Sequence, residues 1–270
     1  MDKTDKVFDG SIPEIYDTHM VPLIFERFAA GLAGLVAGLE PAAVLETAAG
    51  SGVVTRALAP KLARSARYVV TDLNGPMLER ARIRQPDDVR LSWQQADALA
   101  LPFGNDTFDV VCCQFGAMFF PDRAAGFSEA RRVLRPGGAF IFNTWDRIEE
   151  NEFADQVTRA AAELFPDDPP LFLARTPHGY HDRDQIEADL RAGGFGAISI
   201  ETVADISPAP SARHAAVAYC QGTPLRNEIE ARDATALERV TDHAAARLAD
   251  CFGDGAVAGR IQTHVVVARA

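Results

Sequence analysis

The sequence predicts an α/β fold in which a doubly wound, mostly parallel sheet carries helices on both faces. Two observations support this prediction. Between Ala42 and Phe142, apolar runs alternate several times with helical patterns. Most of these runs are too continuous for strands that have one face in water, which is typical of a parallel sheet buried between helices. We expect seven strands, of which the closing strand is antiparallel, and a helical cover.

Five apolar runs are interpreted as the core strands: Ala43–Leu45, Tyr68–Val70, Val89–Leu91, Phe108–Val111 and Ala139–Phe142. Helical patterns separate several of them, at Val53–Ala63 after Gly52, at Pro76–Arg84, and at Ala124–Leu134, which we expect Pro136-Gly137-Gly138 to end. Before the core, apolar residues recur at helical intervals from Ile12 to Leu39, which predicts a helix over the edge or top of the sheet.

After Thr144 the alternation changes. We expect a helix at Glu149–Leu164, a proline-rich loop at Phe165–Asp182, and then a helix at Arg183–Ala192 with a strand at Ala197–Ala204. Helical patterns fill Ser211–Leu248, and Ile261–Ala268 is the expected closing strand. The whole chain, residues 1–270, is predicted to be a single domain, with a core at residues 42–144 and a cover from residues 12–39 and 149–248.

Charge and composition exclude several classes of function. The 270 residues carry 38 acidic and 27 basic side chains, a net charge of −11, which repels phosphate backbones and anionic lipid. Residues Met1–Gly10 do not resemble a secretory leader, and we read no stretch close to the roughly 18 apolar residues of a membrane span. We therefore predict a cytoplasmic protein with no nucleic-acid or membrane partner.

Cysteine and histidine spacing gives no metal site. Cys112 and Cys113 are neighbours in a strand, so their side chains point to opposite faces, and Cys220 and Cys251 stand alone. We expect all four to be reduced packing residues. The segment His178-Gly179-Tyr180-His181-Asp182 invites a metal interpretation, but an exposed loop that ends in a helix cap at Asp182 explains it better.

The segment from Glu46 to Gly52 carries the clearest chemical signal. A strand runs into a turn of small residues and then a helix, which lets a ligand approach the backbone and offers unpaired N–H groups. Open α/β sheets bind nucleotides at such turns. Asp72 ends the second strand about twenty residues later, where a carboxylate can accept hydrogen bonds from both ribose hydroxyls. A helix N-cap is an equally good interpretation of Asp72 alone.

Four segments together resemble the class I S-adenosylmethionine-dependent methyltransferases, in particular the small-molecule branch typified by the type 11 methyltransferases. They are Glu46-Thr47-Ala48-Ala49-Gly50-Ser51-Gly52, Asp72-Leu73-Asn74 through Met77-Leu78, Ala96-Asp97-Ala98 with Leu101-Pro102-Phe103, and Glu129 through Leu134-Arg135-Pro136-Gly137-Gly138. Ala48 stands where that family most often has glycine, and Glu46 stands where Asp is commoner. The resemblance covers residues 42–144 and implies a Rossmann-like fold.

The resemblance also implies roles for single residues. Glu46 would face the cofactor's ammonium group, and the backbone at Ala48, Gly50 and Gly52 would lie beside the same end. Asp72 would hold the ribose hydroxyls. The remaining cofactor-binding residues would be Leu73 and Met77 near the nucleoside, Asp97 at the exocyclic amine, Ala98 with its N–H at the ring, and Gln114 beside the methyl donor.

The implied reaction is in-line displacement at the sulfonium methyl of S-adenosyl-L-methionine, which leaves S-adenosyl-L-homocysteine. Such a reaction asks mainly for proximity, and a base is needed only when the acceptor is protonated. His19 is the candidate base. The candidate pocket residues for a small organic acceptor are Tyr16, Phe119, Phe120, Trp145 and Tyr219. The identity of the acceptor and the oligomeric state are not predicted.

Two other functions stay open from the sequence. An NAD-dependent dehydrogenase would use Gly50, Gly52 and Asp72, but its fingerprint has a third glycine where this chain has Thr55. A non-catalytic cofactor-binding module on the same fold is the other, since a fold does not by itself fix a function.

Overall fold

Seven strands form one sheet in the computed structural model, which describes residues 12–270. The strands are β1 (Ala43–Glu46), β2 (Arg67–Asp72), β3 (Leu91–Gln95), β4 (Phe108–Gln114), β5 (Leu134–Trp145), β6 (Ala197–Ala209) and β7 (Val257–Arg269). Their spatial order is β3-β2-β1-β4-β5-β7-β6. The expectation for residues Met1–Gly10 lies outside the described residues.

The first five strands are parallel. The pairs β1 with β2, β1 with β4, β2 with β3 and β4 with β5 all run in the same direction. The strands that close the sheet are antiparallel, and helices surround it. The predicted mostly parallel, Rossmann-like sheet of seven strands is therefore confirmed.

Eleven α-helices connect and cover the strands among residues 12–270. They are α1 (Ile12–Ile15), α2 (Glu26–Ala37), α3 (Val53–Leu58), α4 (Gly75–Arg84), α5 (Arg123–Val133), α6 (Glu152–Leu164), α7 (Phe172–Arg175), α8 (Arg183–Ala192), α9 (Ala212–Gln221), α10 (Leu225–Arg232) and α11 (Leu237–Phe252). Most predicted helices are found within a few residues of their expected bounds.

The described residues divide into two compact units. Unit 1 contains residues 12–25, 145–180 and 203–263, and unit 2 contains residues 26–144, 181–202 and 264–270. The predicted core at residues 42–144 lies within unit 2.

Both faces of the sheet in unit 2 are covered by apolar side chains. Val110, Cys112 and Ile141 belong to a buried cluster that also contains residues of α2 and α3. On the other face, Phe140 and Phe142 stack on each other with ring centroids 4.9 Å apart and contact Phe127 of α5. This explains why the strand runs are continuously apolar.

Several element boundaries differ from the prediction. β3 begins at Leu91 because Val89 is fully exposed. The predicted helix Val53–Ala63 ends as α3 at Leu58 and continues as a 3₁₀ turn, since Pro60 has no N–H to extend an α-helix. Pro136-Gly137-Gly138 follows the end of α5 at Val133, as expected, and lies inside β5, where the pairing with β4 shifts between Phe108 and Val110.

The N-terminal segment is helical but not a regular α-helix. Between α1 and α2, Tyr16–Phe25 is a ten-residue π-helix that contains Pro22. Among the described residues, the helical stretch Ile12–Ala37 has the length and mean hydropathy, 1.6, of a membrane span, although 56% of that window is buried inside the protein. The sequence analysis predicted a helix here but no stretch close to the length and hydropathy of a membrane span.

The four cysteines are free thiols. Cys112, Cys113 and Cys220 are buried, as expected of packing residues, whereas Cys251 is exposed at the end of α11. The packing interpretation was therefore wrong for Cys251.

Candidate functional site

The carboxyl ends of β1 and β4 form the switch point of the sheet. The chain leaves β1 toward β2 and β3 on one side, and then crosses to β4 on the other side of β1. Open α/β sheets bind ligands in the crevice at such a point. The structure brings the predicted turn after β1 and Gln114 at the end of β4 to this edge.

The turn after β1 is built from left-handed backbone. Ala48, Gly50 and Gly52 have φ angles of 51°, 58° and 80°. A Cβ on Gly52 would lie 2.8 Å from the Cβ of Ala81 in α4, so both the conformation and the space require glycine. Gly52 is also the N-cap residue of α3 and has no side chain to occupy the helix end. No side chain therefore caps the first backbone N–H groups of α3.

Asp72 joins the end of β2 to this turn. Its Oδ2 accepts a 2.7 Å hydrogen bond from the Gly50 N–H, and its Oδ1 accepts one of the same length from the Asn74 N–H. Burial raises the pKa of Asp72, and the two backbone N–H donors limit the rise. The N-cap interpretation of Asp72 was wrong, because Asn74 caps α4 by accepting from the Met77 N–H.

Glu46, the last residue of β1, is buried and held by two hydroxyl groups. Its Oε2 accepts hydrogen bonds from Thr55 Oγ1, at 2.7 Å, and from the Tyr68 hydroxyl. Burial raises the pKa of Glu46 to about 7, although both hydroxyl bonds act to lower it. The sequence analysis missed Tyr68 as a site residue. Thr55 did give a signal, since it replaces the third glycine of the dinucleotide fingerprint.

The buried Glu46 carboxyl makes stability depend on pH. Its pKa is about 7 in the folded chain against an ordinary 4.5, so the unfolded chain loses this proton first as the pH rises. The group therefore stabilises the fold most below pH 4.5, and about 3 kcal/mol of that stabilisation is lost by about pH 7. Above about pH 7 the contribution changes no further.

We expect Glu46→Gln to remove this dependence. The amide keeps a carbonyl acceptor for both hydroxyls and does not titrate, so the variant should unfold at higher urea concentration than the wild type near about pH 8. Urea unfolding of both proteins across the acid to neutral range measures the difference. An identical pH profile in the two proteins would contradict the assignment.

The remaining predicted cofactor residues lie at or just after the ends of β2, β3 and β4, except Met77, which lies in α4. Leu73 is 47% exposed and leaves an apolar face next to Asp72. Met77 is buried. Asp97 is exposed and its Oδ1 accepts from the Leu99 N–H at 2.9 Å, while Ala98 beside it and Gln114 are half-buried. Their roles toward a nucleoside stay predictions.

The predicted acceptor residues fall in both units. Phe119 and Phe120 belong to unit 2, whereas Tyr16, His19, Trp145 and Tyr219 belong to unit 1. Within unit 1, the Tyr16 ring lies 5.2 Å from that of Phe25, which lies 6.0 Å from that of Trp145. Tyr219 is buried, which raises the pKa of its hydroxyl above the ordinary value.

His19, the candidate base, has a second histidine beside it. Its Nδ1 lies 3.4 Å from the Nδ1 of His214 in α9, and the ring centroids are 4.6 Å apart. Burial, and then the nearby His19, lower the pKa of His214. The sequence analysis missed His214, because the two residues are 195 positions apart. Nothing in the sequence alone relates them.

The His178–Asp182 segment was predicted to be an exposed loop, and this was wrong for two of its residues. His178 and Tyr180 are buried, and the His178 Nδ1 lies 2.9 Å from the Asp146 carbonyl oxygen. Asp182 does cap a helix, since its side chain accepts from the Asp184 and Gln185 N–H groups of α8. Packing explains the buried pair better than solvation does.

Comparison with known proteins gives a consistent result. Residues 45–142 match a family model described as a methyltransferase domain. The uncharacterized protein Rv1405c of Mycobacterium tuberculosis is 40% identical over 111 residues, which are 40% of this chain and 39% of that protein. Demethylmenaquinone methyltransferase of Clavibacter sepedonicus is 30% identical over 164 residues, which are 57% of this chain and 66% of that protein. The chain thus matches less than two thirds of the length of either relative.

A solved structure extends the likeness of fold over most of the chain. The YcgJ protein of Bacillus subtilis aligns with a TM-score of 0.55 and 18% identity, covering 88% of this chain and 97% of that one.

Proposed function

We propose that this chain, whose residues 45–142 match a family model described as a methyltransferase domain, is a class I S-adenosylmethionine-dependent methyltransferase that transfers a methyl group from S-adenosyl-L-methionine to a small organic acceptor. The observation that carries the proposal is the Asp72 carboxylate, which is bonded to the Gly50 N–H at the switch point of the sheet. This places a buried acid beside a turn that a ligand can approach.

The residues at this turn fit the proposed cofactor. Each Asp72 oxygen uses one lone pair on a backbone N–H and keeps another for a ribose hydroxyl. The exposed face of Leu73 suits a purine ring. Ser51 Oγ is buried and has no hydrogen-bond partner within residues 12–270, so a polar ligand at the turn would satisfy it.

The chemistry needs few side chains. When bound, the cofactor supplies a methyl group that its sulfonium already activates. The protein has to hold an acceptor in line at contact distance, and such positioning can supply roughly 7–11 kcal/mol of the barrier. We propose Glu46, Ala48, Gly50 and Gly52 for the methionine end, and Gln114 for the side that faces the acceptor.

We further propose a hydroquinone-type aromatic acceptor. The support is the likeness to the demethylmenaquinone methyltransferase of Clavibacter sepedonicus. A phenolic hydroxyl carries its proton at neutral pH, so its loss would need a base. His19, with His214 beside it, is the proposed base. The proposed location remains the cytoplasm, with no nucleic-acid partner.

Calorimetric titration with S-adenosyl-L-homocysteine tests the cofactor assignment. We expect binding in the micromolar range and no heat with NADH under the same conditions. NADH binding without S-adenosyl-L-homocysteine binding would favour the dehydrogenase. Thr55 argues against that outcome, because it stands where the dinucleotide fingerprint has its third glycine and its hydroxyl donates a hydrogen bond to Glu46.

A transfer assay with labelled methyl donor separates an enzyme from a binding module. We expect label to appear in a hydroquinone of the naphthalene series. Tight binding of S-adenosyl-L-homocysteine without transfer to any acceptor in a metabolite pool would favour the non-catalytic module.

A further inference from the structure

Asn143 carries a buried amide oxygen that the protein leaves unsatisfied. The residue lies near the carboxyl end of β5 and is 1% exposed. Its Oδ1 has no hydrogen-bond partner within residues 12–270. Buried side-chain carbonyls are nearly always bonded to protein, water or ligand. This oxygen therefore calls for a donor that the described chain does not supply.

The register of the sheet gives the direction of the Asn143 side chain. Asn143 pairs with Gln114 of β4, and two residues earlier Ile141 pairs with Cys112. Since side chains on one face recur every second residue, Asn143 and Gln114 share the face of Ile141 and Cys112, which belong to the cluster with α2 and α3. β1 ends at Glu46, which pairs with Cys112 of β4. Gln114 and Asn143 lie two residues further along β4 and β5, so they extend past the end of β1 at the switch point.

In the order of the strands, Asn143 lies one strand beyond the proposed cofactor residues and next to Gln114. Asp97, Asp72, the turn after Glu46 and Gln114 follow the ends of β3, β2, β1 and β4 in spatial order. Asn143 is on β5, one strand further, and adjacent strands are about 4.8 Å apart. A nucleoside held over β2 and β3 with its reactive end at β1 and β4 leaves β5 to the acceptor.

We propose that Asn143 binds the methyl acceptor, with its Oδ1 accepting a hydrogen bond from an acceptor hydroxyl next to the atom that is methylated. This inference rests on the proposed methyltransferase function and deepens it. A carboxamide is neutral and cannot take the hydroxyl proton. Asn143 therefore selects and orients the methyl acceptor and does not act as a base. The acceptor class that it favours is a hydroxylated ring, in preference to the corresponding ether.

The test uses the full chain. The probe is 1,4-dihydroxynaphthalene, kept in its diol form, and 1,4-dimethoxynaphthalene is the matched compound without O–H donors. We expect Asn143→Leu, whose side chain has the same number and branching of heavy atoms, to raise KM for the diol about tenfold or more. The dissociation constant of S-adenosyl-L-homocysteine should stay within about twofold of the wild type. The methylated diol that the reaction produces should inhibit the wild type, whereas the dimethoxy compound should not. The variant should lose this discrimination.

Asn143→Asp supplies a conservative check, because it keeps an accepting oxygen at the same place and should retain more of the affinity for the diol. Asn151→Leu is the matched stability control. Asn151 is equally buried, but its Nδ2 donates to the carbonyls of Asp146 and Arg147, and its Oδ1 accepts from the Gln262 N–H. Asn151→Leu should lower the Tm, whereas Asn143→Leu should leave it unchanged or raise it.

Three results would overturn the inference. A loss of S-adenosyl-L-homocysteine affinity in Asn143→Leu would make Asn143 a cofactor ligand. A Tm loss as large as that of Asn151→Leu would make it a structural residue. Wild-type protein that binds S-adenosyl-L-homocysteine but does not methylate the diol would refute the acceptor class and leave the methyltransferase proposal standing. Failure of the wild type to bind S-adenosyl-L-homocysteine would instead refute the proposed function.

Discussion

Replacing Asp72 by alanine is expected to weaken S-adenosyl-L-homocysteine binding about 100-fold or more. The carboxylate is 9% exposed and sits at the end of β2, where we propose that it holds both ribose hydroxyls. Hydrogen bonds to a charged group are worth about 1.5–3 kcal/mol each, and 100-fold corresponds to about 2.7 kcal/mol. The loss also removes the acceptor of the Gly50 N–H, so the turn itself should loosen. Titration calorimetry measures the change in affinity.

Two controls separate binding from folding. Asp72→Asn keeps the shape and one carbonyl acceptor, so it should fold with a Tm closer to the wild type and still bind more weakly. Glu79→Ala removes an exposed carboxylate on α4 that pairs with Arg82, and it should leave the affinity unchanged. A folded Asp72→Ala protein that binds S-adenosyl-L-homocysteine like the wild type would refute the assignment of Asp72.

Gly116→Ala is expected to destabilise the fold by about 2–3 kcal/mol, at the upper end of the cost of overpacking. Gly116 follows β4 and faces the turn after β1. A Cβ at Gly116 would overlap the Cβ of Ala48 and lie 2.8 Å from Cys113 Sγ. Because Ala48 already has a left-handed φ of 51°, it has little freedom to move away. Urea unfolding measures the loss, and cofactor affinity should fall with it.

Ala48→Gly should rescue the Gly116→Ala variant. The second change removes the methyl group that the new Cβ would overlap and also relieves the left-handed backbone, which by itself should stabilise the wild type by about 1 kcal/mol. The double variant should therefore recover at least half of the lost stability, with the Cys113 contact remaining. Additive effects of the two changes would show that Ala48 and Gly116 do not share the space.

The glycine turn illustrates how far local sequence patterns reach. The strand that ends at Glu46, the small residues of the turn and the helix after Gly52 are all encoded within a dozen positions, and the structure has each of them in place. The same holds for the cap at Asp182 and for α8, where the predicted and observed helix agree. These features depend on backbone conformation and on neighbours in the chain.

Other predictions failed because distant residues decide them. Pro136-Gly137-Gly138 was expected to end the helix before it, and α5 does end there, at Val133, but the sequence pattern did not show that β5 begins directly afterwards, at Leu134. His178 looks like a loop residue exposed to solvent, yet it packs near Trp145, with ring centroids 5.9 Å apart. Asp72 was compatible with an N-cap, but Asn74 caps α4 and the Asp72 carboxylate accepts a hydrogen bond from the Gly50 N–H, 22 positions away in the chain.

The sequence by itself determined the parallel α/β core, the open turn after Glu46 and the acids that follow successive strands, because each is recorded in periodicity and in residues that share one short segment. The tertiary structure alone decided the Thr55 and Tyr68 contacts of Glu46, the His19–His214 pair and the unsatisfied oxygen of Asn143. Such contacts join residues that are far apart in the chain or depend on burial. Their existence is fixed by how the strands align and not by any pattern along the sequence.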